Sequence, residues 1–255
     1  MPVLEIRDID LRFGGLVVLN KVSISVKKGE LLALVGPNGA GKTCVLNCIS
    51  GIYKPSGSIR FEGQELLGLP AYEVVQRGIA RTFQHAELFP RLSVCENLLC
   101  ARHSLMHANV LQQMLRLPQA RAEERVHLEA VDKILDDFGL ARYRDAVVGA
   151  LPYGVQKLIG FARALAAEPR CLLMDEPSAG LHQEEREDLA HLIIEIKERL
   201  GIPMIWIEHD MQMVSAIADR VHVLDYGRSI ADGPPEKVLG DEEVIRAYLG
   251  TSHAA

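Results

Sequence analysis

Glu30-Leu31-Leu32-Ala33-Leu34-Val35-Gly36-Pro37-Asn38-Gly39-Ala40-Gly41-Lys42-Thr43 is the stretch on which the fold is decided. Leu31 to Val35 form an unbroken apolar run, the pattern of a strand buried on both faces. Gly36 to Thr43 then fits the phosphate-loop spacing GxxxxGK[ST] at every fixed position. A helical pattern begins at Gly41 and stops near Gly51. Strand, glycine-rich loop and helix, in that order, are what phosphate binding requires. The glycines let the backbone wrap an anion, while N–H groups and the helix N-terminus supply positive potential. Gly36, Pro37, Asn38, Gly39, Ala40, Gly41, Lys42 and Thr43 are therefore the expected phosphate-binding set. Within it Lys42 can reach the β- and γ-phosphates, and Thr43 can ligate Mg2+.

Further strands lie on both sides of this stretch. Leu4-Glu5-Ile6-Arg7 alternates, slips near Asp8 and resumes as Ile9, Leu11 and Phe13, while Val22 to Val26 alternates throughout. Cys171-Leu172-Leu173-Met174 and Met204-Ile205-Trp206-Ile207 repeat the doubly buried pattern, Val221 to Leu224 follows, and Arg228-Ser229-Ile230 adds an edge. Helical patterns alternate with these strands. One covers Glu184 to Leu200, with Leu189, Leu192, Ile193 and Ile196 on one face; a short one follows His209. The alternation predicts an α/β fold with a mainly parallel core sheet and an antiparallel β edge. From Ser93 to Ala167 only helical periodicity is found, with Val126, Ala130, Val131, Ile134, Leu135 and Phe138 recurring and Pro118 interrupting. The reading is a single domain over 1–255, with a core of about 1–92 and 168–255 and an inserted helical subdomain of about 93–167.

Composition narrows the class. The 255 residues are 48% apolar, 24% charged and 5% aromatic, as in a compact globular protein. Twenty-eight Lys plus Arg against 34 Asp plus Glu give a net charge of −6, which argues against broad binding to nucleic acid. No run approaches the ~20 apolar residues that span a bilayer, and Met1 to Asp8 lacks the basic start and apolar stretch of a signal peptide. The expectation is a cytosolic chain that reaches a membrane only through a partner. The five cysteines, Cys44, Cys48, Cys95, Cys100 and Cys171, include no CxxC pair and read as reduced, partly buried side chains.

A second chemical signal stands at the end of the Cys171–Met174 strand. Asp175-Glu176 falls where ligands gather in parallel sheets, beyond the carboxyl ends of the strands. Asp175 is placed to hold Mg2+, and Glu176 to polarise an attacking water as a general base.

With these residues the sequence resembles the nucleotide-binding subunit of ABC transporters over nearly its whole length. The resemblance adds motifs in the family's order. Gln84, in Arg81-Thr82-Phe83-Gln84, matches the glutamine that touches Mg2+ and the attacking water. Leu151-Pro152-Tyr153-Gly154-Val155-Gln156 stands at the LSGGQ signature, and Pro177-Ser178-Ala179-Gly180-Leu181 at the D-loop. His209 matches the switch histidine that contacts the γ-phosphate, and Phe13 the aromatic that stacks on adenine. The resemblance implies an ATPase using ATP and Mg2+. Glu176, His209 and Gln84 would be catalytic; Thr43, Gln84 and Asp175 would hold the metal; Phe13 and the signature residues Pro152, Tyr153 and Gly154 would join the phosphate loop in holding nucleotide. It also implies partners: a second ATP-binding subunit, identical or homologous, transmembrane permease subunits and, indirectly, a periplasmic binding protein, at the cytoplasmic face of the inner membrane. Arg12-Phe13-Gly14-Gly15, Glu96-Asn97-Leu98-Leu99 and Ile245-Arg246-Ala247-Tyr248-Leu249-Gly250 are like the subunit of branched-chain amino acid importers. Urea importers and the lipopolysaccharide export ATPase are close relatives.

The departures from the pattern cluster at the signature. Pro152 removes a hydroxyl, Val155 stands for a usual glutamine, Leu158 for arginine, and Gly160 in a helix interior costs ~1 kcal/mol against alanine. His182-Gln183 replaces Asn-Pro after the D-loop. They imply an active ATPase with a weakened trans site, or a nucleotide-binding regulatory subunit with weak hydrolysis. A soluble ATP switch of translation or DNA repair would need tandem cassettes or a basic face, and a phosphate-loop kinase lacks the D-loop and signature.

Overall fold

The computed structural model describes residues 2–82, 88–106 and 118–250. Gln84 lies outside the described residues. The strands are β1 (Pro2–Phe13), β2 (Leu16–Lys27), β3 (Leu31–Val35), β4 (Ser56–Phe61), β5 (Gln64–Glu65), β6 (Ile79–Thr82), β7 (Cys171–Asp175), β8 (Met204–Ile207), β9 (Arg220–Asp225) and β10 (Arg228–Gly233). The helices are α1 (Lys42–Ile49), α2 (Ala71–Gln76), α3 (Val94–Ala101), α4 (Pro118–Asp137), α5 (Tyr153–Ala166), α6 (Gln183–Leu200), α7 (Met211–Ile217), α8 (Pro235–Val238) and α9 (Glu242–Gly250). They group into two compact units, Met1–Arg81 with Arg170–Ala255, and Thr82–Pro169.

The first unit carries two sheets. One is antiparallel, in the order β2-β1-β4-β5; the other has the order β10-β9-β3-β8-β7-β6. In the second sheet β3 is parallel to β8 and β9, β7 is parallel to β8, and β10 closes the edge antiparallel to β9. Every side chain of β3, β7 and β8 is buried, as their unbroken apolar runs require. One core joins both sheets through α1, with Leu4, Ile6, Val22, Leu34, Leu46, Ile49, Leu173 and Ile205 among its members.

The slip near Asp8 is a β-bulge. The β1–β2 register shifts between Ile6 and Ile9, and Asp8 adopts φ 47. The Asp8 N–H donates to Ser23 Oγ at 2.8 Å, which returns a bond to Asp8 Oδ1 at 3.2 Å. Further shifts follow between Ile9 and Leu11 and between Leu11 and Arg12, and the last breaks the alternation again. Simple alternation from Ile9 would bury Phe13; the last shift leaves it 48% exposed.

Among the described residues, the second unit carries the helices α3, α4 and α5. Ser93 and Glu96 form a reciprocal capping box at the start of α3. Asn97, fully buried, ties that helix to the preceding loop by accepting from the Phe89 N–H at 2.8 Å and donating to the carbonyls of Phe89 and Ser93. The Glu96-Asn97-Leu98-Leu99 segment is thus a cap, a loop tie and a buried leucine. Val126 does not share the buried face of α4: it is 60% exposed, and His127, Val131 and Leu135 face inward instead. The reason is polar. Arg102, itself buried, donates from Nε to His127 Nδ1 at 2.9 Å, and to the Ala166 carbonyl and Glu168. Of the cysteines, Cys48, Cys95 and Cys171 are buried, Cys44 is half-buried and Cys100 is exposed; all five thiols are free.

A polar clasp pins the β9–β10 hairpin. His222, buried, sits 2.6 Å through Nδ1 from Asp232 and 2.8 Å through Nε2 from Ser229, while Arg220 grips both oxygens of Asp232. Burial alone would push the Asp232 carboxyl up, but the hydrogen bonds and charges of His222 and Arg220 together hold it below the ordinary aspartate value of 3.8. A depressed folded pKa stabilises the protein above the unfolded value, and that stabilisation is lost as pH falls through the folded one. Asp232→Asn should therefore lower Tm clearly at pH 6, and its deficit against the parent should shrink steadily from pH 4 to pH 2.5. A deficit that stays constant over that range in a thermal scan would refute the clasp.

Candidate functional site

The phosphate loop leaves β3 at Gly36 and is shaped by close backbone packing. Gly36 has φ 147, and a Cβ there would stand 2.0 Å from the Leu224 carbonyl oxygen. Gly41, φ 100, would drive a Cβ to 2.9 Å from Leu19 and 3.1 Å from the Val18 carbonyl. Only glycine fits both turns. The β9–β10 hairpin clamps the loop from outside, its Gly227 N–H donating to the Ala40 carbonyl at 3.0 Å.

Lys42 opens α1 with its side chain folded into the loop. Its ammonium donates to the carbonyls of Gly36 at 2.6 Å and Pro37 at 3.0 Å. Burial lowers its pKa, while the Glu176 and Asp175 carboxylates oppose that shift. Thr43 Oγ1, beside it, donates to Asp175 Oδ1 at 3.4 Å. A hydroxyl and one carboxylate side by side suit Mg2+, a hard cation that keeps waters and substrate phosphates in its shell rather than taking an all-protein cage. Among the described residues no cluster of three His, Cys, Asp or Glu forms such a cage.

Asp175 has a second partner that sequence reasoning passed over. Arg81, on β6, donates to Asp175 Oδ2 at 2.7 Å and to Asn47 Oδ1 on α1 at 2.6 Å. Both side chains of the ion pair are nearly closed to solvent, at 7% and 5%. Arg81 thus ties β6, β7 and α1 together and leaves Oδ1 turned to Thr43. Only its position two residues after a buried isoleucine, in a short strand that went unread, could have pointed to it.

Glu176 follows in a left-handed conformation, φ 47. Its N–H donates to the Ile207 carbonyl at 3.0 Å, and its Oε1 lies 2.6 Å from His209 Nε2. Two residues read separately in sequence, 33 apart, are therefore partners. Glu208, the residue before His209 and not singled out in the sequence, is buried and accepts from Ser178 Oγ at 2.6 Å. Tyr248 of α9 is another unexpected neighbour: its phenol lies beside the Gly36 backbone, and burial pushes its pKa up to about 12. Phe13, at the end of β1, is braced edge-on by Tyr53 with ring centroids 5.1 Å apart.

The signature residues belong to the second unit. Pro152 is the N-cap of α5 and Tyr153 and Gly154 its first residues, with Tyr153 exposed and Lys157 Nζ 5.6 Å from its ring centre. Val155 and Leu158 are half-buried against the apolar core of that unit.

A family model described as ABC transporter matches residues 19–179, and one described as Branched-chain amino acid ATP-binding cassette transporter matches residues 228–254. The chain is 39% identical over 250 residues to the high-affinity branched-chain amino acid transport ATP-binding protein BraF of Pseudomonas aeruginosa, covering 98% of both chains. It is 38% identical over 250 residues to LivG of Escherichia coli K12, similarly named, again over 98% of both. A crystal structure of an ATP-binding cassette of an ABC transporter in its ADP conformation superposes with a TM-score of 0.85 at 32% identity, covering 98% of this chain and 99% of the other. A nucleotide-free cassette gives 0.84 at 32% identity, over 97% of this chain and 99% of that one.

Removing Arg81 would leave the buried Asp175 carboxylate without the guanidinium that hydrogen-bonds it. Arg81→Ala should destabilise the chain by roughly 3–5 kcal/mol. Adding Asp175→Asn to that variant should recover part of the loss. Urea denaturation measures both, and a single-variant loss below about 1 kcal/mol would mean the pair contributes no more than a surface bridge.

Proposed function

The chain belongs to the ABC transporter family of ATP-binding cassettes, and from that membership we propose that it powers an importer of branched-chain amino acids. The observation that carries hydrolysis is the Glu176–His209 pair, 2.6 Å apart, in the unit that also holds Lys42, Thr43 and Asp175. The cargo rests on the relatives, whose names state branched-chain amino acid transport, and on the C-terminal match at 228–254.

In this reading the loop N–H groups of 36–43 and the Lys42 ammonium take the ATP phosphates, with Phe13 against the base. Thr43 and Asp175 would hold Mg2+, with Gln84, outside the described residues, as a further ligand; the ion, when bound, would offset phosphate charge. Glu176 accepts a proton from water as the water oxygen bonds the γ-phosphorus and the bond to the ADP oxygen breaks. His209 fixes the Glu176 carboxylate so that one oxygen keeps its aim. A second cassette would present Pro152, Tyr153 and Gly154 to this nucleotide, and this chain's own signature would serve the partner. ATP then closes two subunits, and its loss releases them.

No described helix is long and apolar enough to cross a membrane. The permease subunits supply the transmembrane path, the cassettes dock at their cytoplasmic face, and a periplasmic binding protein delivers cargo without touching this chain.

Glu176→Gln keeps the shape of the side chain and removes its basicity. ATP hydrolysis should fall by about 10²-fold or more while ATP affinity changes little. Cells whose only copy carries Glu176→Gln should lose uptake of labelled leucine and keep uptake of urea. Unchanged leucine uptake would reject the cargo; unchanged ATP turnover in the purified chain would reject the role of Glu176.

A further inference from the structure

Glu208 ends up inside the protein with a charge to satisfy. It follows β8 directly and is 3% exposed. A carboxylate in such a place costs several kcal/mol unless donors surround it. Three do. Ser178 Oγ donates to Oε2 at 2.6 Å, and the N–H groups of His209 and Asp210 donate to Oε1 at 2.8 and 3.4 Å. Ser178, 5% exposed, lies two residues beyond Glu176 on the loop after β7. One carboxylate therefore joins that loop to the one carrying His209.

The link has consequences for the His209 ring. That side chain is 38% exposed, so its aim depends on where its backbone is set. Glu208 sets it from one side. From the other, Asp210 caps α7 by accepting from the N–H groups of Gln212 and Met213, and takes Arg186 at 3.3 Å. Arg186 in turn donates to the Leu181 carbonyl on the loop after β7. The two loops are thus cross-tied on both sides of the Glu176–His209 contact.

We propose that Glu208 is a positioning residue for hydrolysis, holding the His209 backbone against the Ser178 loop so that the imidazole stays on Glu176. The proposal rests on the reading above that Glu176 and His209 act in hydrolysis. All three of these bonds come from uncharged donors, so shape and hydrogen-bonding capacity matter more than charge. A glutamine could accept from the His209 N–H through its carbonyl and donate to the Ser178 hydroxyl through its amide; an alanine could do neither.

The test is a double-mutant cycle read by single-turnover hydrolysis of radiolabelled ATP, with nucleotide affinity measured alongside, on the full-length chain. Glu208→Ala should lower the rate by about 10- to 100-fold, as a misplacement of about 1 Å does, with ATP affinity held within about twofold. Glu208→Gln should restore the rate to within about threefold of the parent. In a His209→Ala background Glu208→Ala should change the rate by less than about twofold, because the residue it positions is gone. Multiplicative losses in that background would overturn the proposal, as would a Glu208→Gln variant no faster than Glu208→Ala. If Glu208→Ala loses its cooperative thermal transition, Ser178→Ala replaces it in the cycle. Its smaller loss, about 3- to 10-fold, should likewise vanish when His209 is alanine. A His209→Ala chain that hydrolyses ATP at the parental rate would instead refute the role of His209, a failure visible in that single variant alone.

Discussion

Leu34 of β3 and Asp175 of β7 flank the same residue, Ile207 of β8, in parallel register. The chemistry depends on that alignment. It brings the carboxyl ends of three strands level, so the loops beginning at Gly36, Glu176 and Glu208 leave the sheet side by side. Because all three strands are buried on both faces, apolar packing holds the register without help from the loops. A slip of one residue would turn Asp175 to the opposite face of the sheet and carry Glu176 away from His209. The left-handed turn at Glu176 is the local cost of leaving the sheet so abruptly, of order 1 kcal/mol. The bond from its N–H to the Ile207 carbonyl makes that turn part of the same register.

Charge is placed on this frame in advance of any ligand. Lys42 is drawn two ways, burial disfavouring its charge and the carboxylates of Glu176 and Asp175 favouring it. Arg81 occupies one oxygen of Asp175 and leaves the other toward Thr43. A group arriving with negative charge meets an ammonium already folded into the loop, where the Gly36 and Pro37 carbonyls hold it. Arg81 also explains how a carboxylate this deep survives between α1 and the sheet: its guanidinium bonds both.

Much of this was legible in the sequence wherever one periodicity or one spacing decided the matter. Leu31–Val35, Cys171–Met174 and Met204–Ile207 read as buried strands because nothing polar interrupts them. Gly36–Thr43 read as a phosphate loop because glycine and lysine spacing there has few other uses. Strand β4 did not, since Gly57 disrupts its pattern, and β6 was too short to show any. Phe13 was named for its chemistry, while its exposure arises from a bulge that depends on the partner strand. Arg81, Glu208 and Tyr248 stayed hidden for a common reason. Each acts through a residue distant in sequence, and a lone arginine, glutamate or tyrosine carries no signal of the partner it will meet.

The signature departures gain a physical account from the second unit. Val155 and Leu158 lie against the apolar cluster built from α3, α4 and α5, so apolar side chains at these positions add burial where longer polar ones would have to reach out to solvent. What they give up is side-chain hydrogen bonding at the start of α5. The backbone N–H groups of its first turn are unaffected by that exchange, and Pro152, as N-cap, has no need of its own missing donor. An anion site made of backbone and helix dipole tolerates side-chain change better than one made of hydroxyls and amides. If the proposed partner nucleotide meets α5 chiefly through that backbone, the substitutions alter how tightly the closed pair is held and leave the proposed hydrolytic groups, Glu176 and His209, untouched.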